Sequence, residues 1–316
     1  MHRIYGSFSN GDLAEATSQD FSFRDVDRWG DYAGGRSLVV LFGDETAGPF
    51  AFFSSMPPMD DEMERAFAHG HDADNWRISV QGTTNMGNDT YLDGQFRYQD
   101  GGVPYPGDNV AWGPDGGFGL VMFGDRRGFP IRPVKASIAE KVVPEQLAAA
   151  SALGIAVEHP LPDAPAIATT EGGTERGHRN DGFESAAEWT ELVPGVRCSA
   201  ALLGDRECGP MLLHLDADAG AQVLPAHTAA TEFLMVLARG SMTSTSGAQL
   251  GLGDLRVAAD EHARDGFVAG NDGVQLTIVI GDRQAVDGIE VGDDGAAWHE
   301  ALVSMRDALA AQLATA

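Results

Sequence analysis

Short apolar runs, broken by glycine, proline or Asp-Gly pairs, recur along the whole chain. The first half contains RSLVVLFG, GPFAFFSS, NWRISVQG, GQFRYQ and GFGLVMFGD, and the second contains GPMLLHLDA, GAQVLPAH, TEFLMVLARG, GDLRVAA and VQLTIVIGD. Each run has the length of a strand, and the breaks between the runs are rich in turn-forming residues. This pattern predicts an all-β protein built from sandwiches or barrels.

Helical periodicity is confined to two stretches. EKVVPEQLAAASALGIA (140–156) predicts one helix, and the C-terminal tail predicts another. The apolar stripe of the tail either caps the second domain or packs against a partner subunit. Residues 169–183 are polar, glycine-rich and without periodicity, which predicts a linker or a mobile loop, with HRNDG (178–182) solvated.

The two halves follow the same order: a histidine-bearing segment, a strand that ends in glycine, and a turn into an arginine-containing strand. HDADNWRISVQG and GQFRYQ in the first half match HTAATEFLMVLARG and GDLRVAA in the second. Similarity at so long a period indicates a duplicated β domain rather than a solenoid. We therefore predict an N-terminal barrel at 1–150, a linker at 151–185, a C-terminal barrel at 186–290 and a helix at 291–316.

Composition restricts the possible partners and the compartment. The chain of 316 residues carries a net charge of −26 with a pI near 4.4, so its surface repels phosphate backbones and nucleic acid is not an expected partner. No apolar run approaches the ~20 residues that cross a bilayer, and the start lacks the order of a secretory signal. We expect no membrane association and a cytoplasmic location. Two cysteines are too few for a disulfide scaffold, which predicts reduced thiols.

Two histidines, His69 and His71, stand one residue apart in a β-like segment, so their side chains face the same way. These residues resemble the cupin superfamily, whose first motif is G(x)5HxH(x)3-4E(x)6G and whose second is G(x)5PxG(x)2H. In this sequence Asn75 falls where the family has glutamate, and Gly82 falls on the closing glycine. Tyr105 falls where the family has its last histidine.

The second half resembles the cupin domains related to the anti-sigma factor ChrR. By this resemblance His227, Glu232 and His262 are the corresponding ligands. Two alignments remain open. In one, His227 is the first histidine of the pair and Ala229 replaces the second; in the other, His227 is the second and Pro225 replaces the first.

The resemblance implies a divalent transition metal, Fe, Mn, Ni or Zn, unless the eroded motifs have lost it. Its ligands would be His69 and His71 in the first barrel, helped by Asp72 or Asp74, or His227, Glu232 and His262 in the second. The second set is the more complete, because it includes a carboxylate, and on this ground we predict that the second barrel binds the metal. Tyr105 or Arg97 would donate a hydrogen bond or neutralise a substrate carboxylate, and Asn75, Arg77 and Gln99 would line the substrate pocket.

Two functions follow from this resemblance. The first is a metal-dependent enzyme that acts on a small organic molecule, with dioxygenase chemistry foremost and lyase or isomerase chemistry next. The second is a non-catalytic bicupin that binds or senses a small ligand. Because cupin barrels pair through sheet edges that need cover, we also expect a homodimer.

Overall fold

Antiparallel β-sheets dominate the chain, as the strand pattern predicts. The structure is a computed structural model that describes residues 7–8, 18–24, 29–32, 35–41, 43–44, 46–58, 68–86, 89–104, 111–128, 130–155, 157, 177–204, 208–258 and 263–315. The chain forms two compact units. The N-terminal unit comprises Met1–Ser9, Asp25–Asn180 and Leu203–Glu207, and the C-terminal unit comprises Asn10–Arg24, Asp181–Leu202 and Cys208–Ala316. The N-terminal unit thus includes a short segment from the second half of the sequence, Leu203–Glu207, and the C-terminal unit includes one from the first half, Asn10–Arg24. The bounds expected from the sequence, 1–150 and 186–290, do not include this exchange.

The N-terminal unit has one large sheet with the strand order β1-β4-β5-β10-β7-β9-β12, in which β3 pairs with β4 and β8 with β7. Strands β6 and β11 form a separate antiparallel pair. The strands, numbered in chain order, are β1 (Ser7–Phe8), β3 (Gly30–Tyr32), β4 (Gly35–Leu41), β5 (Phe50–Met56), β6 (His69–His71), β7 (Asn75–Met86), β8 (Asp89–Tyr91), β9 (Gln95–Gln99), β10 (Ala111–Phe123), β11 (Ile131–Pro133) and β12 (His178–Gly182).

The C-terminal unit repeats this plan with the order β13-β14-β15-β21-β18-β20-β2, in which β16 pairs with β21 and β19 with β18. Strands β17 and β22 form the separate pair. The strands are β2 (Ser18–Ser22), β13 (Thr190–Val193), β14 (Val196–Leu202), β15 (Met211–Ala217), β16 (Gln222–Leu224), β17 (His227–Thr228), β18 (Phe233–Ser244), β19 (Gln249–Gly251), β20 (Asp254–Ala258), β21 (Phe267–Ile280) and β22 (Glu290–Val291).

Two α-helices accompany the sheets in the described part of the chain. Helix α1 (Ala136–Ala152) lies earlier in the sequence than the predicted helix, and it ends just before Gly154, whose φ of 73° terminates a helix readily. Helix α2 (Ala296–Thr315) follows a 3₁₀ turn rather than beginning at 291. Trp298 and Leu302 of α2 are buried in the core of the C-terminal unit, so the apolar stripe packs on its own barrel. None of the helices in the described ranges is long and apolar enough to cross a membrane.

The segment predicted as a linker is only partly described. Residues 158–176 lie outside the described ranges, and most of the predicted mobile loop falls there. HRNDG is strand β12 rather than a solvated loop, and a 3₁₀ helix, Phe183–Glu188, follows it. Asn180 of β12 accepts a hydrogen bond from the hydroxyl of Tyr91 at 2.7 Å, which fixes this polar edge strand to its sheet.

Candidate functional site

The paired histidines of the first half lie on a short buried strand, β6. His69 and His71 are 9% and 7% exposed, their ring centroids are 5.3 Å apart, and their planes meet at 84°. Gly70 between them admits a close neighbour, because a Cβ there would lie 3.0 Å from the carbonyl oxygen of Val103. Gly102 donates from its N–H to the carbonyl of His71 at 2.6 Å. The strand therefore holds both imidazoles at one place in the N-terminal unit.

Four polar residues named from the sequence share one face of the sheet beside this strand. Asn75 lies directly opposite Gln99, and Arg77 directly opposite Arg97, on β7 and β9. Directly opposed residues of an antiparallel pair point to the same face. The alternate residues on the other face are aromatic or aliphatic and fully or nearly fully buried: Trp76, Ile78, Phe96 and Tyr98.

His71 belongs to the end of this polar face at which Asn75 and Gln99 lie. The His71 ring packs against Phe123 with centroids 4.7 Å apart, and Phe123 is paired directly opposite Asn75. Gln99 donates from Nε2 to the carbonyl of Val103 at 2.7 Å, next to the loop that binds the His71 backbone. The structure thus places a histidine, two amides and two arginines in the same part of the N-terminal unit.

Hydrogen bonds orient the polar face. Arg77 donates from Nη2 to Asn75 Oδ1 at 2.7 Å, and Arg97 donates from Nη1 to the Tyr91 hydroxyl at 3.1 Å and to Asp89 at 3.3 Å. Burial raises the pKa of Tyr91 despite the opposing effect of the Arg97 guanidinium, which keeps the phenol protonated. Sequence reasoning missed Asp89 and Tyr91, because β8 gives no motif.

Two buried polar atoms on this face, one acceptor and one donor, could bind a ligand. Gln99 Oε1 and Arg97 Nε are buried, and neither has a hydrogen-bond partner among the described residues. Leaving such atoms unsatisfied is costly, so this polar face is suited to binding a polar group. Asp74 is directed elsewhere, since its carboxylate accepts from the N–H of Gly204 at 2.9 Å. Tyr105 lies outside the described residues and its role stays a prediction.

The C-terminal unit has the same strand pairing as the N-terminal unit, which settles how the two halves correspond. Phe233 lies opposite Ala258, and Met235 opposite Arg256, as Asn75 lies opposite Gln99 and Arg77 opposite Arg97. The closing glycines Gly82 and Gly240 follow Asn75 and Phe233 at equal spacing, and both have positive φ, 91° and 72°. Phe233 therefore occupies the position of Asn75, and Arg256 that of Arg97.

This register assigns the neighbouring residues as well. Glu232 corresponds to Asp74, and the carbonyls of both accept from a glycine N–H, Gly281 at 2.9 Å and Gly124 at 3.0 Å. His227 corresponds to His69 and Ala229 to His71, which is the first of the two alignments that the sequence left open. Because adjacent strand residues point to opposite faces, the residue at the position of Asn75 is Phe233 and not Glu232.

The predicted second metal set is only partly described by the structure. Glu232 Oε2 accepts from the Thr231 hydroxyl at 3.5 Å, and His262 lies outside the described ranges. Within those ranges, no three residues of the types His, Cys, Asp and Glu are grouped so as to hold a metal ion, in either unit. The prediction that His227, Glu232 and His262 bind a metal remains untested.

The C-terminal unit instead encloses a cavity of about 160 Å³ between β18, β20 and β21. Its polar lining consists of His227, Arg256, Arg264 and Asp265, and the rest of the wall is apolar, including Phe233 and Phe267. Sequence reasoning did not single out Arg256, Arg264 or Asp265, although the recurrence of arginine in GQFR and GDLR was visible.

The histidine of this cavity is neutral near pH 7. Burial lowers the pKa of His227 to about 4, and the nearby Arg264 guanidinium acts in the same direction. His227 Nδ1 lies 2.9 Å from the carbonyl oxygen of Pro225, which can only accept, so Nδ1 carries the proton. Nε2 then presents a buried lone pair, with no hydrogen-bond partner in the described part of the chain.

Comparisons with solved structures identify the fold. A salicylate 1,2-dioxygenase of Pseudoaminobacter salicylatoxidans, solved with gentisate, aligns with a TM-score of 0.52 at 11% identity over 88% of this chain and 86% of its own. A Nostoc punctiforme protein, provisionally described as a dioxygenase, aligns with a TM-score of 0.51 at 12% identity over 87% of each chain. No protein-family model matches the sequence, and no curated protein is significantly similar to it.

These neighbours are cupin-fold proteins with two jelly-roll barrels. The chain therefore has the two-barrel fold of these proteins, and the fold expected from its sequence is confirmed. At such identities the likeness establishes the fold alone.

Proposed function

We propose that this protein is a metal-dependent bicupin enzyme that acts on a small organic acid, and that its N-terminal barrel holds the metal. The observation that carries the proposal is the buried imidazole pair on β6. The two ring centroids lie 5.3 Å apart with perpendicular planes, beside a face that carries two amides and two arginines.

The separation of the rings fits a shared metal. Two buried imidazoles whose ring centroids lie 5.3 Å apart are close enough for both to bind one metal ion. His69 and His71 would supply the nitrogens, and the orphaned Oε1 of Gln99 offers a neutral oxygen. Imidazole and amide ligands suit Fe, Mn, Ni or Zn, and a bound metal would polarise a substrate oxygen as a Lewis acid.

The arginines support an anionic substrate. Arg97 is 4% exposed and keeps its Nε without a partner among the described residues, and Arg77 faces it directly across the strands. Arg97 Nη1 is paired with Asp89 at 3.3 Å, and its Nε would donate a charge-assisted hydrogen bond to a substrate carboxylate. Oxidation of dioxygenase type is our leading reaction, because both fold neighbours are described as dioxygenases and one was solved with the hydroxy acid gentisate.

Metal content of the purified protein tests the proposal. Wild type should retain a stoichiometric transition metal in chelator-free buffer, and His71→Ala should lower the retained metal at least tenfold, because a lost ligand weakens a site severely. His178→Ala, in the same unit but on the edge strand β12, should retain it. Full metal in His71→Ala, or loss only in His227→Ala, would contradict the assignment to the N-terminal barrel.

A gain of affinity gives an independent check. Asn75→Asp places a carboxylate at the position where cupins carry glutamate, and it keeps the acceptor for Arg77. A negative ligand should tighten Zn²⁺ binding about tenfold or more in a chelator competition. Asn85→Asp adds the same charge ten residues further along β7, where Asn85 accepts from the Thr90 hydroxyl, and should leave the affinity unchanged. Equal affinities for both variants would refute a metal beside Asn75.

A non-catalytic ligand-binding bicupin is the second candidate. Its support is the lack of a three-residue group of metal-binding type in the described part of either unit, together with the arginine-lined cavity of the C-terminal barrel. Protein that carries no transition metal after chelator-free purification, and that gains none from added Fe²⁺, Mn²⁺ or Zn²⁺, would favour this candidate over the enzyme.

A further inference from the structure

The cavity of the C-terminal barrel combines a buried hydrogen-bond acceptor with an apolar wall. We propose that it is a second binding site, independent of metal, for a small neutral alcohol. The hydroxyl of the ligand donates to His227, and its hydrocarbon body fills the apolar part of the cavity. This site goes beyond the function proposed for the N-terminal barrel, because its residues and its ligand chemistry are its own.

The acceptor of this site is His227 Nε2. The residue lines the cavity and is 4% exposed. Nδ1 donates to the carbonyl of Pro225 at 2.9 Å, so in the neutral ring Nε2 carries a lone pair. Nε2 has no hydrogen-bond partner among the described residues. A buried acceptor left in this state costs free energy, so a ligand that donates to it binds favourably.

Backbone pairing and an aromatic ring hold the imidazole in place. His227 pairs with Val291 between β17 and β22, and it also bridges Arg264 with N–H···O distances of 3.2 Å and 2.8 Å. Its ring packs against Phe233 with centroids 4.7 Å apart. Because the acceptor is already fixed in this way, little conformational entropy is lost when a ligand binds to it.

The charged groups around the cavity balance one another. Arg256 donates from Nη2 to Asp20 at 2.6 Å and lies 3.5 Å from Asp265. Arg264 also has partners within the protein, among them the carbonyl of Thr231 at 2.6 Å. Two guanidiniums and two carboxylates thus lie in the wall or directly against it. A charged ligand would lose its hydration here without a net opposite charge to replace it.

The acceptor restricts the polar group of the ligand further. A carboxylate or ketone oxygen brings a lone pair against the lone pair of Nε2, whereas a hydroxyl brings a proton. An ammonium group could donate, but the guanidiniums of Arg256 and Arg264 repel it. A neutral hydroxyl meets both conditions with a single polar atom.

The remaining wall defines the body of the ligand. Its apolar residues are at most 3% exposed: Leu224, Phe233, Met235, Ala258 and Phe267. The cavity has a volume of about 160 Å³, and an apolar cavity of ~150 Å³ is large enough for one benzene molecule. The ligand therefore has a body of about the size of a five- or six-membered ring, and cyclopentanol is a suitable probe.

Methionine methyl groups allow each barrel to be observed separately. Met235 lines the C-terminal cavity, whereas Met86 Sδ lies 3.3 Å from Arg77 Nη1 in the N-terminal barrel. Full-length protein labelled with ¹³C at the methionine methyls would be titrated with four compounds of equal heavy-atom count: cyclopentanol, cyclopentanone, cyclopentylammonium and isobutyrate. Met235→Leu and Met86→Leu assign the two resonances.

We expect the Met235 resonance to move saturably with cyclopentanol. Cyclopentanone has the same size but no donor, so it should bind about tenfold more weakly, because it leaves Nε2 unsatisfied. Cyclopentylammonium and isobutyrate should each bind at least about tenfold more weakly than cyclopentanol, because their charge is not compensated. All these comparisons use wild-type protein and need no variant to fold.

Replacement of the acceptor tests its role directly. His227→Leu should lower the affinity for cyclopentanol to that for cyclopentanone, and it should leave the affinity for cyclopentanone nearly unchanged, because the apolar wall remains. His299→Leu, on helix α2 and outside the cavity, should keep the preference for the alcohol. A preference that survives in His227→Leu would contradict the assignment of the acceptor.

Four outcomes in wild-type protein would overturn the inference. The first is binding of cyclopentanone or isobutyrate as tight as that of cyclopentanol. The second is a Met235 resonance that does not respond to cyclopentanol, because the cavity would then hold only water. The third is a Met235 resonance that responds to stoichiometric Zn²⁺, because the cavity would then be a metal site. The fourth, a shift confined to Met86, would leave the N-terminal proposal standing.

Discussion

Burial of His227 makes the stability of the C-terminal unit depend on pH. In the unfolded chain a histidine has a pKa near 6.5, whereas in the fold burial lowers the pKa of His227 to about 4. Between pH 6.5 and about 4 the His227 ring is therefore protonated in the unfolded state and neutral in the folded state. The stabilisation is complete above about pH 6.5 and is lost as the pH falls toward 4.

The size of the effect follows from the two pKa values. A fall from 6.5 to about 4 corresponds to about 3.4 kcal/mol when both states are fully titrated, and about 2.5 kcal/mol of it is lost by pH 4.5. Arg264 stays charged throughout and adds to the cost of protonating the imidazole. Below about pH 4 this contribution to the pH dependence should cease.

Paired denaturation curves measure this contribution. The free energy of unfolding would be determined for metal-free wild type and His227→Gln at pH 7.5 and 4.5. Carboxylates titrate alike in both proteins, so the difference between their pH effects isolates the histidine. Wild type should lose about 2.5 kcal/mol more than the variant on acidification. Equal losses, or an NMR titration of the His227 ring with a midpoint above 6, would refute the reasoning.

Further predictions concern backbone, charge, thiols and assembly. In a urea titration, Gly82→Ala should destabilise the protein by at least about 2 kcal/mol, because φ is 91° and a Cβ would lie 2.3 Å from the carbonyl oxygen of Gly116. Gly154→Ala is the control: its φ is 73°, but no atom lies close to the added Cβ, so it should cost about 1 kcal/mol. Asp20→Asn removes the charge partner of Arg256, whose side chain is 8% exposed. The free energy of unfolding should fall by about 1–3 kcal/mol, less than for a fully buried pair because Asp20 is 41% exposed; an unchanged unfolding midpoint would contradict this. A thiol reagent should modify exposed Cys208 in native protein and not Cys198, whose buried thiol has a raised pKa; modification of both before unfolding would contradict the buried position. Light scattering should give the mass of a dimer at micromolar concentration, and a monomer would remove that prediction.

The fold and the first histidine pair were predictable because they rest on local periodicity. Alternating apolar residues specify strands, and the HxH spacing specifies two imidazoles on one side. Asn75, Arg77, Arg97 and Gln99 were named from the sequence, and the structure adds that they are directly opposed. Strand β12 was missed because HRNDG is polar throughout, and a polar edge strand lacks the alternation of apolar and polar residues that identifies a strand in the sequence.

The register of the second barrel lay beyond sequence reasoning. Glu232 and Phe233 differ by one position, and a slip of one residue turns a side chain to the opposite face. Spacing from His227 favoured Glu232 as a ligand, whereas the strand pairing places Phe233 opposite Ala258 and so at the corresponding position. Arg264 and Asp20 approach the cavity from distant parts of the chain, and no local pattern reports such contacts.

The two barrels share one framework but differ in the charge that their interiors favour. An arginine stands at the same strand position in both, Arg97 and Arg256, and each is paired with aspartate. The neighbouring positions differ: Phe233, Met235 and Ala258 replace Asn75, Arg77 and Gln99. An amide leaves a polar acceptor beside two histidines, whereas a phenyl ring offers a platform for a guanidinium and supplies no ligand. Several replacements in a duplicated framework, including Ala229 at the position of His71, thus remove from the second barrel the polar side chains on which the metal proposed for the first barrel depends.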